Sequence, residues 1–294
     1  MGILSEIAKA YNFQVIKSKK LIGKDVKTIH RLDHRNAGDL YSAPYHYYKE
    51  LCPDNAVDIY AFKKFKGEKR SKFMDAAINH KLIIGGGGLL NTPTFDAQMK
   101  LFEYLSRKGK KVVFWGLGHN SGKHHHDANL EYNINTEGLD MFSSRDHSKS
   151  GDYVPCVSCK HPLLDGDSIV KQELGVVFHK KTLARPHVTT LFDGIPKCDN
   201  TQSIENIIDF IKSSEKIITN SYHAMYWSLL LGKKVAVIGK NSKYHDFHNK
   251  PIYTTFENSV KDVNKAQSIS GLLSECRELN DRFAKKAFEY LEIA

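Results

Sequence analysis

The stretch Lys216-Ile-Ile-Thr-Asn-Ser-Tyr-His-Ala-Met-Tyr-Trp-Ser-Leu-Leu-Leu-Gly-Lys-Lys-Val-Ala-Val-Ile-Gly239 holds two short β-like runs with a helical run between them. Lys216 to Thr219 and Val235 to Gly239 read as strands, and Tyr222 to Leu231 as a helix with Asn220 or Ser221 as its cap. A strand that feeds a helix and returns to a strand is the βαβ unit of a parallel sheet. Upstream, Leu174 to His179 adds a strand and Ile204 to Lys212 a helix. The first half repeats the rhythm, with strands at Val26 to Leu32, Val57 to Phe62, Lys81 to Ile84, Lys111 to Trp115 and Leu139 to Ser143. Covering helices are expected at Asp39 to Leu51 and Thr94 to Lys108, the latter with Phe95, Met99, Phe102 and Leu105 on one face. Ser148 to Gly166 mixes Gly, Pro, Asp, Cys and Ser without periodicity and marks the expected boundary between two α/β layers in tandem. The chain closes with a helix in which Leu272, Leu273, Cys276, Leu279, Phe283, Ala287 and Leu291 recur every three or four residues.

The 294 residues are 41% hydrophobic and 26% charged, the composition of a globular protein rather than of a disordered tail. No run approaches the roughly 18 uninterrupted apolar residues of a membrane helix. The N-terminus, Met1-Gly-Ile-Leu-Ser-Glu-Ile7, lacks the basic start and apolar middle of a signal peptide, so a cytoplasmic protein is expected. Cys52, Cys156, Cys159, Cys198 and Cys276 are too few and of the wrong parity for a disulfide scaffold. A net charge of +10 points to polyanionic partners: nucleic acid, anionic lipid or phosphorylated small molecules.

Ligands of open parallel sheets bind beyond the carboxyl ends of the strands, so the residues after each strand carry the functional signal. Asn36-Ala-Gly38-Asp39 follows the first strand; Gly38 permits close backbone approach, and Asp39 suits either a ligand or an ordinary N-cap. Gly85 to Gly88 follows the third strand. With no Gly-Lys-Ser/Thr after it, this is not a Walker loop; Gly86, Gly87 and Gly88 fit either a ligand or a structural turn. At the start of the helix after Thr219, Asn220, Ser221 and Tyr222 precede His223. An imidazole there adjoins free amides and the positive end of the helix dipole, suited to holding phosphate or carboxylate or to acid–base work. Arg145, Lys240 and Lys243 also follow strands, where a guanidinium offers two-point contacts to an anion and an ammonium a mobile charge.

In this order these features resemble the polysaccharide pyruvyl transferase family over Asn36 to about Phe247. The segment Ile218 to Ile238 carries the most recognisable part, with Asn-x-Gly-Asp, the Gly-rich loop, Arg145-Asp146 and a Lys about twenty residues beyond His223 in matching places. The resemblance implies two Rossmann-like domains facing a cleft, similar to the glycosyltransferase B fold, here residues 1–160 on the acceptor side and 161–294, with the closing helix, on the donor side. It implies phosphoenolpyruvate as donor and a hydroxyl pair of a sugar, free or lipid-linked, as acceptor, yielding a pyruvate ketal and phosphate in polysaccharide biosynthesis. Carried over by position, His223 is the essential histidine and Arg145 and Lys243 are the basic residues at the donor. Lys234 stands where the family has proline, and no Arg precedes His223, so another cation must supply that charge.

A nucleotide-sugar-dependent glycosyltransferase of the B fold is the nearest alternative. A nucleic-acid binder fits the charge and the clusters at Lys17, Lys19, Lys20 and Lys63 to Arg70, but these lack aromatic interleaving, and no nucleic acid is expected. Cys156-x-x-Cys159 with His161, and His124 to His126 with His119, are weak metal signals without a second pair; no metal and no cofactor is expected. Ile3, Leu4, Ile7 and Tyr11 with the nearby lysines suit either contact with anionic lipid or a short helix packed on the core.

Overall fold

Two parallel sheets order the chain in the computed structural model, which describes residues 2–122, 130–149, 151–239 and 241–293. The expectations at His124 to His126 and at Lys240 therefore lie outside the described residues. The first sheet contains β1 (Lys24–His30), β2 (Ala56–Asp58), β3 (His80–Ile84), β4 (Gly87–Leu90), β5 (Val112–His119), β6 (Met141–Ser144) and β7 (Asp152–Tyr153). Their order is β2-β1-β3-β5-β6-β7, with β4 also paired to β5. The second contains β8 (Gln172–Phe178), β9 (Lys197–Asp199), β10 (Ser214–Thr219), β11 (Lys234–Val237) and β12 (Ile252–Tyr253) in the order β12-β11-β10-β8-β9. Among the described residues every strand pairing is parallel; between β10 and β11, Ile217 faces Val235 and Ile218 faces Ala236.

The helices are α1 (Ile3–Lys17), α2 (Ala37–Leu40), α3 (Glu68–Asn79), α4 (Asp96–Arg107), α5 (Lys180–Leu183), α6 (Pro186–Thr189), α7 (Ile204–Lys212), α8 (Tyr222–Leu230), α9 (Ser259–Asp262) and α10 (Leu272–Leu291). The period-2 alternation of a strand sorts the first sheet's side chains. Leu82, Ile84, Val112 and Phe114 pack with Phe73, Met99 and Phe102 of α3 and α4, whereas Ile83, Val113 and Trp115 pack on the other face. What covers that other face is the end of the chain: Phe283, Ala284, Ala287 and Leu291 of α10. The same helix begins in the second sheet's core with Leu272 and Cys276. The Trp115 indole donates to buried Asn280, whose amide donates to the Pro155 carbonyl, so the crossing has no unpaired polar end.

Three local expectations are corrected. The helix read over Asp39 to Leu51 stops after Leu40, because Pro44 lacks an N–H and instead opens a 3-10 turn at Pro44–His46. The strand read over Val57 to Phe62 ends at Asp58, whose carboxylate accepts from the Tyr60 amide and starts the 3-10 helix Ile59–Lys63. Half of the glycine run is strand rather than loop, since Gly87 and Gly88 open β4. Because α10 closes the core over Trp115, with the Phe283 ring 5.1 Å away and edge-on, Phe283→Ala should lower unfolding free energy by about 3–5 kcal/mol in denaturant titrations. A loss below about 1 kcal/mol would contradict this placement of α10.

Candidate active site

A cavity of about 500 Å³ lies where the carboxyl ends of both sheets meet. Its walls are the segments after β1 (Arg31, Asp33, Asn36, Asp39), β3 (Gly86 to Gly88), β6 (Arg145), β8 (His179 to Thr182), β10 (Asn220 to His223) and β11 (Asn241, Lys243, Tyr244). Eleven of the twelve described strand-end residues singled out from the sequence thus line one space. The twelfth, Gly38, stands behind it: a methyl group at position 38 would overlap the His223 ring, so only glycine lets α2 close on the imidazole.

His223 occupies the first turn of α8, a helix buried along its whole length. Ser221 is the N-cap residue, but its hydroxyl makes no capping bond, and the first-turn amides of a helix have no partner within it. Imidazole Nε2 lies 3.7 Å from Cys156 Sγ. Burial, followed by the charges of Arg145 and Lys243, lowers the His223 pKa well below its ordinary value, leaving the ring neutral.

Arg145 follows β6 and is 2% exposed. Its guanidinium stacks 3.9 Å from the centroid of the Tyr222 ring, yet its Nε and Nη1 have no hydrogen-bond partner. A buried guanidinium with unused donors is set for a planar anion. Lys243 sits in the 3-10 helix Ser242–Tyr244, its pKa lowered to about 8 by burial and then by Arg145, with Asp39 opposing. Asp39 is not the N-cap of α2; that position is Asn36, whose amide donates to the Asp39 carboxylate at 2.7 Å. Burial raises the Asp39 pKa and Lys243 counteracts it.

The remaining residues hold the walls. The Asn220 side chain accepts from the His179 amide and donates to Thr182, so it fixes the loop after β8 rather than offering itself to a ligand. Asn200 donates to Asn36 at 3.0 Å, and Lys180 pairs with Asp33 at 3.0 Å, tying the two sheets' loops together. His119, Asp146 and Asp246 form a buried group with ligand atoms within 4.8 Å of one another. Its atoms are already engaged: His119 Nδ1 with Ser242, Nε2 with Asp246, Asp146 with the His119 amide and the Tyr132 hydroxyl, and Asp246 with Ser148. It reads as a knot between sheets; Cys156 and Cys159 take no part in it.

Arg31, Tyr60, His179, Lys181 and Arg185 were not singled out from the sequence, although Arg31 and His179 directly follow β1 and β8 and obey the same strand-end rule. No family model matches the chain, and no curated protein matches its sequence. What the site does rests on its geometry.

If Gly38 is glycine because of the imidazole, Gly38→Ala should cost about 1–3 kcal/mol in the native background and less than half of that in a His223→Ala background. Equal costs in the two backgrounds, measured by a double-mutant unfolding cycle, would contradict the contact.

Proposed function

We propose that the chain is a pyruvyl transferase that moves pyruvate from phosphoenolpyruvate onto a hydroxyl pair of a polysaccharide or lipid-linked glycan precursor and releases phosphate. The proposal includes the arrangement: two Rossmann-like halves facing a cleft in the manner of the glycosyltransferase B fold, the first half presenting the acceptor and the second most of the donor contacts. The observation that carries it is Arg145, buried with two donating nitrogens unused and facing the same cavity as Lys243, His223 and the start of α8. A donor with a phosphate and a carboxylate on the same carbon supplies two anions to such a group of cations and amides.

The chemistry needs proton traffic beside anion anchors. The donor's methylene carbon gains a proton, one sugar hydroxyl adds to the neighbouring carbon, phosphate leaves, and the second hydroxyl closes the ketal. The protons given up by the two hydroxyls balance those taken by the methyl carbon and the departing phosphate. His223 is the group assigned to this transfer. Its neutrality without ligand follows from burial and two nearby cations; an anion bound to Arg145 and Lys243 cancels their charge and raises the imidazole's proton affinity. Asp39, with its raised pKa, is placed to accept an acceptor hydroxyl proton.

The glycosyltransferase reading requires a surface for a nucleotide base. Two rings on the wall are already covered: Tyr60 by Arg31 at 4.2 Å and Lys63 at 3.9 Å, Tyr222 by Arg145. That favours the smaller, more charged donor. Thermal stability should rise with phosphoenolpyruvate and not with sugar nucleotides, the rise should shrink in His223→Ala, and phosphate release with donor and acceptor should fall by about 100-fold or more in that variant. A rise with a sugar nucleotide alone selects the alternative, and normal phosphate release by His223→Ala removes the histidine's role.

Lys243 gives a pH test. It is charged below about 8 and neutral above, so it contributes to anion binding at neutral pH and ceases to as pH rises through that value. Sulfate, whose own charge is constant in this range, should bind evenly below about pH 8 and more weakly above it, and Lys243→Gln should flatten the profile. A profile that keeps its fall in Lys243→Gln assigns the titration elsewhere.

A further inference from the structure

The outward side of α1 is apolar where a solvated helix carries polar groups. Ile3 is 80% exposed, Leu4 72%, Ile7 50% and Tyr11 53%, and the helical period sets them in one stripe. The opposite side is anchored: Ala8 and Ile16 are buried, Lys9 donates to the Thr94 carbonyl, and buried Asn12 donates to the carbonyls of Phe62 and Lys64. The stripe is therefore held on a fixed helix. Beside it, Arg70 donates to Asn12 and lies 5.8 Å from the Tyr11 ring, and Phe65 is 45% exposed. Residues 63–72 carry Lys63, Lys64, Lys66, Lys69, Arg70 and Lys72 against the single acid Glu68, and Lys17, Lys19 and Lys20 continue the positive charge beyond the end of α1.

We propose that this face docks the protein on an anionic lipid bilayer, with Ile3, Leu4, Ile7, Tyr11 and Phe65 entering the headgroup boundary and the surrounding lysines meeting lipid phosphates. Charge complementarity selects the occupant. An apolar stripe rimmed by cations matches an anionic interface. A second copy of the chain, meeting it through a two-fold contact, would bring the same cations against themselves.

The face flanks the cavity. Lys9 is bonded to Thr94, the neighbour of lining residue Phe95, and the 3-10 helix that receives Asn12 carries Tyr60, another lining residue. Docking would bring the cavity to the membrane surface, where an acceptor bearing a lipid chain resides. The surface itself stands whatever the donor is.

The test is flotation of the full chain with vesicles of phosphatidylcholine alone and of phosphatidylcholine and phosphatidylglycerol in equal parts. The expected result is flotation with the mixed vesicles, about tenfold weaker partitioning to phosphatidylcholine alone and at raised salt. Ile3→Ser/Leu4→Ser/Ile7→Ser should weaken partitioning about tenfold or more, as should Lys64→Glu/Lys66→Glu/Lys69→Glu. All six positions are exposed, so thermal unfolding of the variants should match that of the parent. No flotation with mixed vesicles at low salt, or flotation unchanged in both variants, would overturn the proposal. So would self-association in sedimentation velocity that the serine variant abolishes, since the stripe would then cover a second copy.

Discussion

Arg145 keeps a guanidinium out of water with two of its nitrogens unpaired. Leaving such donors unmet in a buried site costs on the order of 1–3 kcal/mol each, more when charged. The surroundings are arranged around that cost. Tyr222 offers its ring face to Arg145, and Gly118 leaves room where any side chain would overlap the guanidinium. Burial, reinforced by the fixed charge, draws Lys243 down to about 8 and keeps the His223 ring neutral. Burial first and this guanidinium second thus act together on the imidazole and the ammonium.

Holding that charge in place requires both sheets to stay in register across the cavity, since Arg145 comes from the end of β6 while Tyr222 and His223 come from α8. Polar bonds supply the connection near the site: Asn36 with Asn200, Lys180 with Asp33, and the knot of His119, Asp146, Ser242 and Asp246. Away from the site the connection is apolar. α10 enters at Leu272 in one core and ends at Leu291 in the other, and α8 anchors the stretch leaving the first sheet through Tyr226 to the Cys156 carbonyl and Trp227 to Ser158. The connection between the sheets is thus polar beside the cavity and apolar away from it.

Ile204–Lys212 was legible from its one-sided apolar period, whereas Tyr222–Leu230, buried all round, shows no such period and was legible from its apolar length behind Asn220 and Ser221; both emerge with the ends expected to within a residue. The failures have local causes. Pro44 outweighed the mixed polarity that suggested a long helix after Asp39, and β4 was hidden because glycines have no side chain to show alternation. α3 was obscured by its charge; Glu68 to Arg70 reads as a solvated cluster until Phe73, Met74 and Ala77 are seen to be its buried face. In the site, the strand-end rule found the catalytic candidates. It could not show that Gly38 serves His223 from behind, nor that Asn220 is spent on the β8 loop, because both depend on contacts between segments some 40 to 185 residues apart.

The +10 charge also separates into parts once positions are known. Arg145 and Lys243 line the cavity, where low dielectric strengthens their field and bulk salt screens them little. Lys64, Lys66 and Lys69 are exposed, and there the same charge is screened and acts only in number. An excess of cations is therefore two different properties in this chain. One is a pair of buried cations at the cavity, which the proposed function assigns to a compact anion. The other is a diffuse surface charge, which the proposed docking would use together with the apolar stripe of α1 to reach contact at a fixed face.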